Sequence, residues 1–277
     1  MGKIDSGSQL RAVNSVRGSG KVDRLVERAW REARRAGSVA AEKVSMRVAR
    51  MIVRQVRDQN LDPGTPLPSE VQMASSYNAG RSSIREALRI LEVQGLITIK
   101  TGPGGGPSII EPTTADTGKM LSLHMNMRGC TFGELGKARL EIDPILAFHA
   151  AQNASPTSIE RMRDVVEMAR LVSSSNNAEW ARIASMFNSV IAAASGNSVL
   201  ALVSGTLRAI YAERITSLTY TAKMRDDAIS RYRAIIDAIE KRDCKAAQKN
   251  MFDLINNSLN QMVKRHPEIL DDVVDWH

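Results

Sequence analysis

Residues 81–91 read RSSIREALRIL, and the spacing of their apolar residues predicts an amphipathic helix that extends to about Gln94. An Asn-Ala-Gly turn at residues 78–80 joins this helix to a preceding one. The preceding helix is expected to begin at Ser69, with Gln72 completing a capping box. Two helices joined by a three-residue turn that contains glycine are typical of a helix-turn-helix. The predicted buried stripe of the second helix comprises Ile84, Ala87, Leu88 and Leu91.

The flanking residues complete a winged helix-turn-helix. A further amphipathic helix is predicted over about 40–59, ahead of the motif. After the motif, the pattern changes to a strand at 96–100, a glycine-rich loop at 101–106 and a returning strand at 108–110. Three helices followed by a two-stranded hairpin predict a DNA-binding fold.

The rest of the chain is helical in pattern. A short linker at 111–114 precedes a series of apolar-periodic segments with almost no strand signal, which predicts an all-helical bundle of six or seven helices. The fold class is therefore mainly α. The expected helices span about 115–127, 131–152, 157–173, 178–194, 198–220, 225–240 and 243–264.

Three regions are expected along the chain. Residues 1–39 form a basic N-terminal extension, disordered at first and then an amphipathic helix over 21–36. Residues 40–112 form the winged helix-turn-helix domain. Residues 113–277 form a helical domain for effector binding and dimerisation.

The charge distribution separates these regions. The formal net charge is +8, with 18 Lys and Arg against 11 Asp and Glu in residues 1–112 and 20 against 19 in residues 113–277. A basic block beside a neutral block indicates a nucleic-acid-binding part joined to a part with another role; a solvated basic surface is the alternative interpretation.

The sequence shows neither a signal peptide nor an apolar run long enough to span a membrane. We therefore expect a cytoplasmic protein in which Cys130 and Cys244 are reduced.

The first turn of the helix over 81–94 has the chemistry of a DNA-reading surface. Arg81 and Arg85 are four residues apart and project from one face, opposite the apolar stripe. Arginine matches the two acceptors that guanine presents in the major groove, and the short hydroxyls of Ser82 and Ser83 suit phosphate contacts. An exposed helix that happens to carry arginines is the alternative; the turn and the hairpin favour DNA reading.

This segment resembles the GntR family of bacterial transcription regulators. The similarity rests on LDPG at 61–64, LPSE at 67–70, RSSIREALRIL at 81–91 and EVQGLI at 92–97. The resemblance implies DNA contacts by Arg81, Ser82, Ser83 and Arg85, and a wing loop that reaches the minor groove at Thr101 and Gly102.

Two positions depart from the family pattern. Val71 stands where the family usually has arginine, so one DNA contact is expected to be missing. Gly80 stands where the family has Ser or Thr, which weakens the cap of the following helix.

The helical half resembles the FadR-type effector domain of the same family. The similarity rests on Ala138-Arg139 with Asp143-Pro144, on Met186-Phe187-Asn188 and on YRAIIDAI at 232–239.

Many members of that branch hold a metal through one Asp and three His. The corresponding positions here are Ala184, Asn188, Tyr232 and Leu254. Because these side chains are absent or poor metal ligands, we expect no metal and no cofactor. The histidines, which are His124, His149, His266 and His277, show no ligand spacing.

The same resemblance implies a cavity in the bundle. Its expected lining comprises Arg139, Asn188, Tyr232, Met186 and Leu254. A buried arginine requires a partner, and two kinds remain open for Arg139. One is the carboxylate or phosphate of an effector, which would make Arg139, Asn188 and Tyr232 a binding site for a carboxylate or acyl ligand. The other is an acid of the chain, Asp143 or Glu141.

Together these patterns predict a transcription regulator. We expect a homodimer that binds a short palindromic operator in double-stranded DNA, is modulated by a small-molecule effector in the helical domain, and has no membrane partner. The alternative is a DNA-binding dimer without an effector. Because the sequence offers no nucleophile–base arrangement, metal cluster or convincing pair of carboxylates, we do not expect an enzyme.

Overall fold

The chain divides into two compact units. The computed structural model describes residues 43–102, 104–172, 175–215 and 220–276. One unit runs to Glu92 and includes Ile99–Ile109, and the other comprises Val93–Thr98 and Ile110–His277. The basic extension predicted at 1–39, with its helix over 21–36, lies outside the described residues. Within the described ranges, every helix is too short or too polar to cross a membrane.

The order of elements along residues 44–109 confirms the predicted winged helix-turn-helix. Three helices are followed by a two-stranded sheet. Their apolar stripes form a small core in which Ile84 and Ala87 are completely buried. The elements are α1 (Val44–Asp58), α2 (Glu70–Ser76), α3 (Arg81–Val93), β1 (Ile97–Lys100) and β2 (Gly106–Ile109).

The second strand begins two residues earlier than the predicted 108–110. Backbone hydrogen bonds explain the difference: Leu67 N donates to Pro107 O over 2.8 Å, and Ile109 N donates to Thr65 O over 3.0 Å. The segment before α2 therefore pairs with β2 and holds Pro107 in an extended conformation. The sequence pattern predicts a strand that begins only after this proline, because the segment that pairs with it lies about 40 residues away along the chain.

The turn and cap of the helix-turn-helix form as predicted. The Ser69 N–H donates to Gln72 Oε1 over 2.9 Å, and Gln72 N donates to Ser69 Oγ over 3.4 Å, which is a capping box. In the turn before α3, Asn78 adopts φ of 48°, a left-handed conformation that asparagine tolerates better than most residues. These local interactions set the direction in which α3 leaves α2.

Residues 114–270 form the predicted all-helical domain. The structure describes seven α-helices here, and the central α5 packs against α7, α8, α9 and α10. The helices are α4 (Thr114–Arg128), α5 (Phe132–Asn153), α6 (Pro156–Leu171), α7 (Asn177–Ala194), α8 (Ser198–Ile215), α9 (Ala222–Glu240) and α10 (Cys244–Arg265), followed by a 3₁₀ turn at Pro267–Leu270.

The boundary between α8 and α9 differs from the prediction. The sequence pattern extends the first helix to residue 220 and begins the second at 225, whereas Tyr220 is not helical and α9 begins at Ala222. Thr221 caps α9, because its Oγ1 accepts a hydrogen bond from Met224 N over 3.3 Å. A threonine cap takes precedence here over the apolar spacing from which the boundary was predicted.

The capping box of α2 gives a stability prediction. Ser69→Ala removes the side-chain acceptor, and we expect the local unfolding free energy of α2 to fall by about 1 kcal/mol. Ser76→Ala, at an exposed position of the same helix, is the control and should change it by less than about 0.5 kcal/mol. Native-state hydrogen exchange of the α2 amides measures both. Equal effects of the two substitutions would contradict the assigned role of the cap.

Candidate functional site

The first turn of α3 presents a polar face to solvent. Arg81, Ser82 and Arg85 are exposed and Ser83 is half-buried, on the side of the helix opposite its buried stripe. Gly80 provides no side chain to cap the helix, and its carbonyl accepts the first helical hydrogen bond from Ile84 N over 3.1 Å. The N-terminal amides of α3, together with Arg81 and Arg85, therefore lie where the helix dipole favours an anion.

Arg85 is oriented by a residue of the preceding helix. Its Nε donates to Glu70 Oε2 over 2.7 Å, and the two side chains remain 68% and 36% exposed. An ion pair with this exposure contributes little to stability, but it restricts the directions that the guanidinium samples. Val71, adjacent to Glu70, is 54% exposed, so the position where the family usually has arginine also faces solvent.

The wing loop is exposed at the two residues predicted to contact DNA. Thr101 and Gly102 both lie on the surface. Gly102 adopts φ of 102°, and Gly105 N donates to its carbonyl over 3.0 Å, closing a turn. A side chain at residue 102 would meet no neighbour within 4 Å, so backbone conformation and not crowding favours glycine here.

The helical unit contains a cavity of about 120 Å³. All three predicted effector residues, Arg139, Asn188 and Tyr232, line it, and so does Leu254. Met186 was also expected in the lining but packs against the hydrophobic core instead. It lies two residues before Asn188 on α7, and a helix turns such a residue away from the face that Asn188 presents. Residues from α5, α7, α8, α9 and α10 therefore enclose one site.

The partner of the buried Arg139 is an acid of the chain. Its Nε and Nη2 donate to Asp143 Oδ2 over 3.2 and 3.0 Å, one helical turn away on α5. Its guanidinium also lies over the Tyr211 ring, 4.9 Å from the centroid. The other proposed partner, Glu141, is exposed. The structure therefore selects Asp143 from the open alternatives while leaving Arg139 in the cavity lining.

A second buried arginine lines the same cavity and was missed by sequence reasoning. Ser204 Oγ donates to Asp143 Oδ1 over 2.6 Å, and Arg208 Nη1 donates to Ser204 Oγ over 2.7 Å. Arg208 Nη2 donates to Ser189 Oγ over 2.9 Å. Burial lowers the pKa of Arg208 to about 10, an effect that the charge of Asp143 only partly offsets. The available signal was a single arginine in SVLALVSGTLRAIYA at 198–212, a segment that has no other charged residue.

The four positions of the family's metal site come together around this cavity but do not form a metal site. Ala184 and Leu254 have no donor atoms, and Asn188 Nδ2 donates to Ala184 O over 3.0 Å. The Tyr232 ring stacks on Phe187 at 4.0 Å, and burial raises the pKa of the phenol well above its ordinary value, so it stays protonated. This donor set does not fit a divalent metal.

Other candidate ligands lie outside the cavity lining. Within the described residues, no three His, Cys, Asp or Glu side chains are grouped as metal ligands would be. His124, His149 and His266 are not among the residues that line the cavity, and His277 lies outside the described part of the chain. Cys130 and Cys244 are both free thiols, as expected.

Comparison with known proteins assigns both parts of the chain. Residues 44–105 match the family described as bacterial regulatory proteins, gntR family, and residues 134–257 match the FCD domain. The chain belongs to the GntR family. It is a DNA-binding transcription regulator with an FCD effector-binding domain, so the resemblances inferred from the sequence are confirmed.

Individual relatives agree with this assignment. The chain is 26% identical over 223 residues to the HTH-type transcriptional repressor NanR of Cronobacter sakazakii, covering 79% of this chain and 85% of that protein. It is 27% identical over 230 residues to NanR of Escherichia coli K12, covering 80% and 86%. Among solved structures, Streptococcus agalactiae GntR has a similar fold, with a TM-score of 0.64, 20% identity, and coverage of 78% of this chain and 99% of that chain.

The buried charges of this GntR-family protein lead to a stability prediction. Asp143→Asn leaves two buried guanidinium groups without a carboxylate, and we expect the unfolding free energy of the helical unit to fall by about 3 kcal/mol. Urea unfolding followed by far-ultraviolet circular dichroism measures the change. Asp237→Asn, at an exposed position of α9, is the matched control. A loss no larger than that of the control would show that Asp143 does not balance the buried charge.

Proposed function

We propose that this chain is a homodimeric repressor that reads a short palindromic operator through α3 and the wing. We also propose that a small anionic effector binds in the FCD cavity without a metal and modulates the binding of DNA. The observation that carries the DNA-reading part is the exposed face of α3. Arg81, Ser82 and Arg85 lie on the surface while the opposite face is buried in the core. Such a helix can enter the major groove without exposing apolar residues.

The proposed roles of the α3 residues follow from their exposure and chemistry. Arg81 and Arg85 would contact base edges, because a guanidinium can donate two hydrogen bonds to guanine O6 and N7. Ser82 and Ser83 would donate to phosphates and fix the depth of α3 in the groove. Thr101 and Gly102 would lie against the minor groove, since the wing tip carries no bulky side chain at residue 102.

The proposed dimer is consistent with the geometry of DNA. Two recognition helices related by a two-fold axis reach successive major grooves about 34 Å apart, so a palindromic site requires two copies of the chain. Repression is proposed because both NanR relatives are named transcriptional repressors. A dimer bound across a promoter would block access of the transcription machinery.

The effector part of the proposal rests on the cavity. Arg139, Asn188 and Tyr232 combine a charged donor, an amide and a phenol around one space of about 120 Å³. An effector alters DNA binding only if it binds the two conformations of the protein with different affinity, and such coupling is typically about 1–3 kcal/mol.

We further propose that the protein is cytoplasmic and that the helical domain has no catalytic role, since the relatives carry the names of regulators.

Selection of bound duplexes from a randomised DNA pool tests the proposed function. The full chain is incubated at about 150 mM salt, where contacts to phosphate alone are already weakened. Recovery of a palindrome with half-sites one helical turn apart supports a sequence-reading dimer. Recovery of a single half-site would contradict the dimer, and recovery of no motif would contradict sequence reading.

Replacing Arg85 by alanine gives the sharper prediction. The substitution removes the proposed bidentate contact, and discrimination at one base pair of each half-site should fall by about 1–3 kcal/mol, or about 5–150-fold. Competition binding with single-base operator variants measures the loss. Arg182→Ala, which removes an exposed arginine of α7 paired with Glu179, should leave discrimination unchanged. Unaltered discrimination in Arg85→Ala would mean that α3 is not the recognition helix.

A further inference from the structure

The first turn of α2 presents an apolar side chain to solvent. Val71 is 54% exposed, whereas Met73 of the same helix is 1% exposed and belongs to the core. The residues on either side of Val71 are polar, and the one that follows, Gln72, is exposed. Single exposed valines are ordinary on protein surfaces, so it is the position of Val71, and not its exposure alone, that indicates a role.

Val71 lies next to the residue that orients Arg85. Glu70 Oε2 accepts a hydrogen bond from Arg85 Nε over 2.7 Å, so the start of α2 meets the polar face of α3. Consecutive Cα atoms are about 3.8 Å apart, close to the spacing of about 3.4 Å between base pairs of DNA. The residue after Glu70 can therefore approach a base pair within one or two steps of the one that Arg85 reads.

The ion pair also determines which donors of Arg85 remain for DNA. Its Nε is taken by Glu70, and its Nη1 and Nη2 have no acceptor among the described residues. These two donors form the end of the guanidinium fork, which matches O6 and N7 of guanine. Glu70 thus holds Arg85 by one edge and leaves the end of the fork for a base. A fixed guanine position gives Val71 a fixed neighbouring position in the half-site.

The chemistry of valine restricts the base edge that it can contact. In the major groove, guanine, adenine and cytosine present hydrogen-bond donors or acceptors, whereas thymine also presents its 5-methyl group. An apolar side chain placed against donors or acceptors displaces their water without replacing the lost hydrogen bonds. Placed against a methyl group, it buries apolar surface on both partners, which is favourable. Thymine is therefore the base that Val71 fits.

We propose that Val71 is a specificity-determining residue that contacts the 5-methyl group of a thymine, within two base pairs of the guanine read by Arg85. This inference rests on the proposed recognition role of α3. An arginine in place of Val71, as the family usually has, would favour guanine through its two donors. Valine replaces that contact with an apolar one, so each half-site contains a thymine beside the guanine.

Removal of single methyl groups from the operator tests the contact. Each thymine of the palindrome recovered in the DNA selection is replaced in turn by deoxyuridine, which lacks only the 5-methyl group. Competition binding by the full chain should weaken at one thymine of each half-site, by about fourfold per half-site, the value expected for burial of one methyl group. That thymine should lie within two base pairs of the guanine identified with Arg85→Ala. Absence of any such thymine would overturn the proposal.

Replacing Val71 by alanine identifies the side chain responsible. Val71→Ala removes the two methyl groups of the side chain, so deoxyuridine at the same position should cause no further loss of affinity. Val53→Ala is the matched control, because Val53 is a 39% exposed valine of α1 in the same unit, and it should retain the fourfold effect. Since both valines are exposed, neither substitution should alter the fold. An undiminished effect of deoxyuridine in Val71→Ala would assign the methyl contact to another residue and overturn the proposal.

Replacing Val71 by arginine tests the same position in the opposite direction. DNA selection with Val71→Arg should recover guanine in place of the thymine, because the new side chain donates to O6 and N7. The guanine read by Arg85 should remain. Recovery of the original thymine with this variant would contradict the proposal, since a residue that selects a base must change the base when its chemistry changes.

The outcomes separate this inference from the proposed function. If the selection recovers a palindrome but no thymine depends on Val71, the inference fails and the proposed function stands. If the selection recovers no motif, both fail, because a residue cannot select a base in a protein that does not read sequence.

Discussion

The buried charge arrangement of Arg139, Asp143, Ser204 and Arg208 is the interaction on which the helical domain depends. It joins α5 to α8 through hydrogen bonds of 2.6–3.2 Å, and Ser189 extends it to α7. Each of these groups lost its hydration on folding, so each requires the others to offset that cost. An apolar core surrounds them, including Leu135 and Ile235, which are 1% and 0% exposed. The same low dielectric that makes the charges costly makes them strong ligands for an anion.

The two units of the chain use arginine in opposite environments. In α3, Arg85 lies on the surface with Glu70, where salt screens its charge and water competes for its donors. This environment suits the proposed DNA contact of Arg85, because an exposed ion pair can be exchanged for another partner at little cost. In the bundle, Arg208 lies in a closed environment with fixed neighbours. A buried donor of this kind discriminates between ligands more strongly than an exposed one, because a ligand without a matching acceptor leaves the donor unsatisfied.

The loss of the metal ligands has a consistent chemical consequence. A divalent metal held by acidic and imidazole side chains would bring positive charge to the cavity. Here Ala184 and Leu254 stand at two of those four positions, and Tyr232 is stacked on Phe187. The cavity is instead lined by two arginines, Arg139 on α5 and Arg208 on α8. The proposed effector site would therefore supply its positive charge without a metal ion.

The sequence by itself determined the two-part architecture, because apolar spacing, capping residues and turn residues act over a few positions of the chain. Residues 81–91 identified α3, Ser69 and Gln72 identified the start of α2, and the helical periodicity after residue 113 identified the bundle. The positions of Arg139, Asn188 and Tyr232 in one cavity were also anticipated, through resemblance to a family.

Only the tertiary structure decided which charges face one another. Asp143 pairs with Arg139 four residues away, but its other oxygen meets Ser204, which lies 61 residues further along the chain. No local pattern specifies such a pairing, because it depends on how α5 and α8 pack. The same holds for β2, whose first residues are extended because a distant segment pairs with them. Periodicity identifies which face of a helix is buried, whereas charge balance inside the core is a property of the assembled helices.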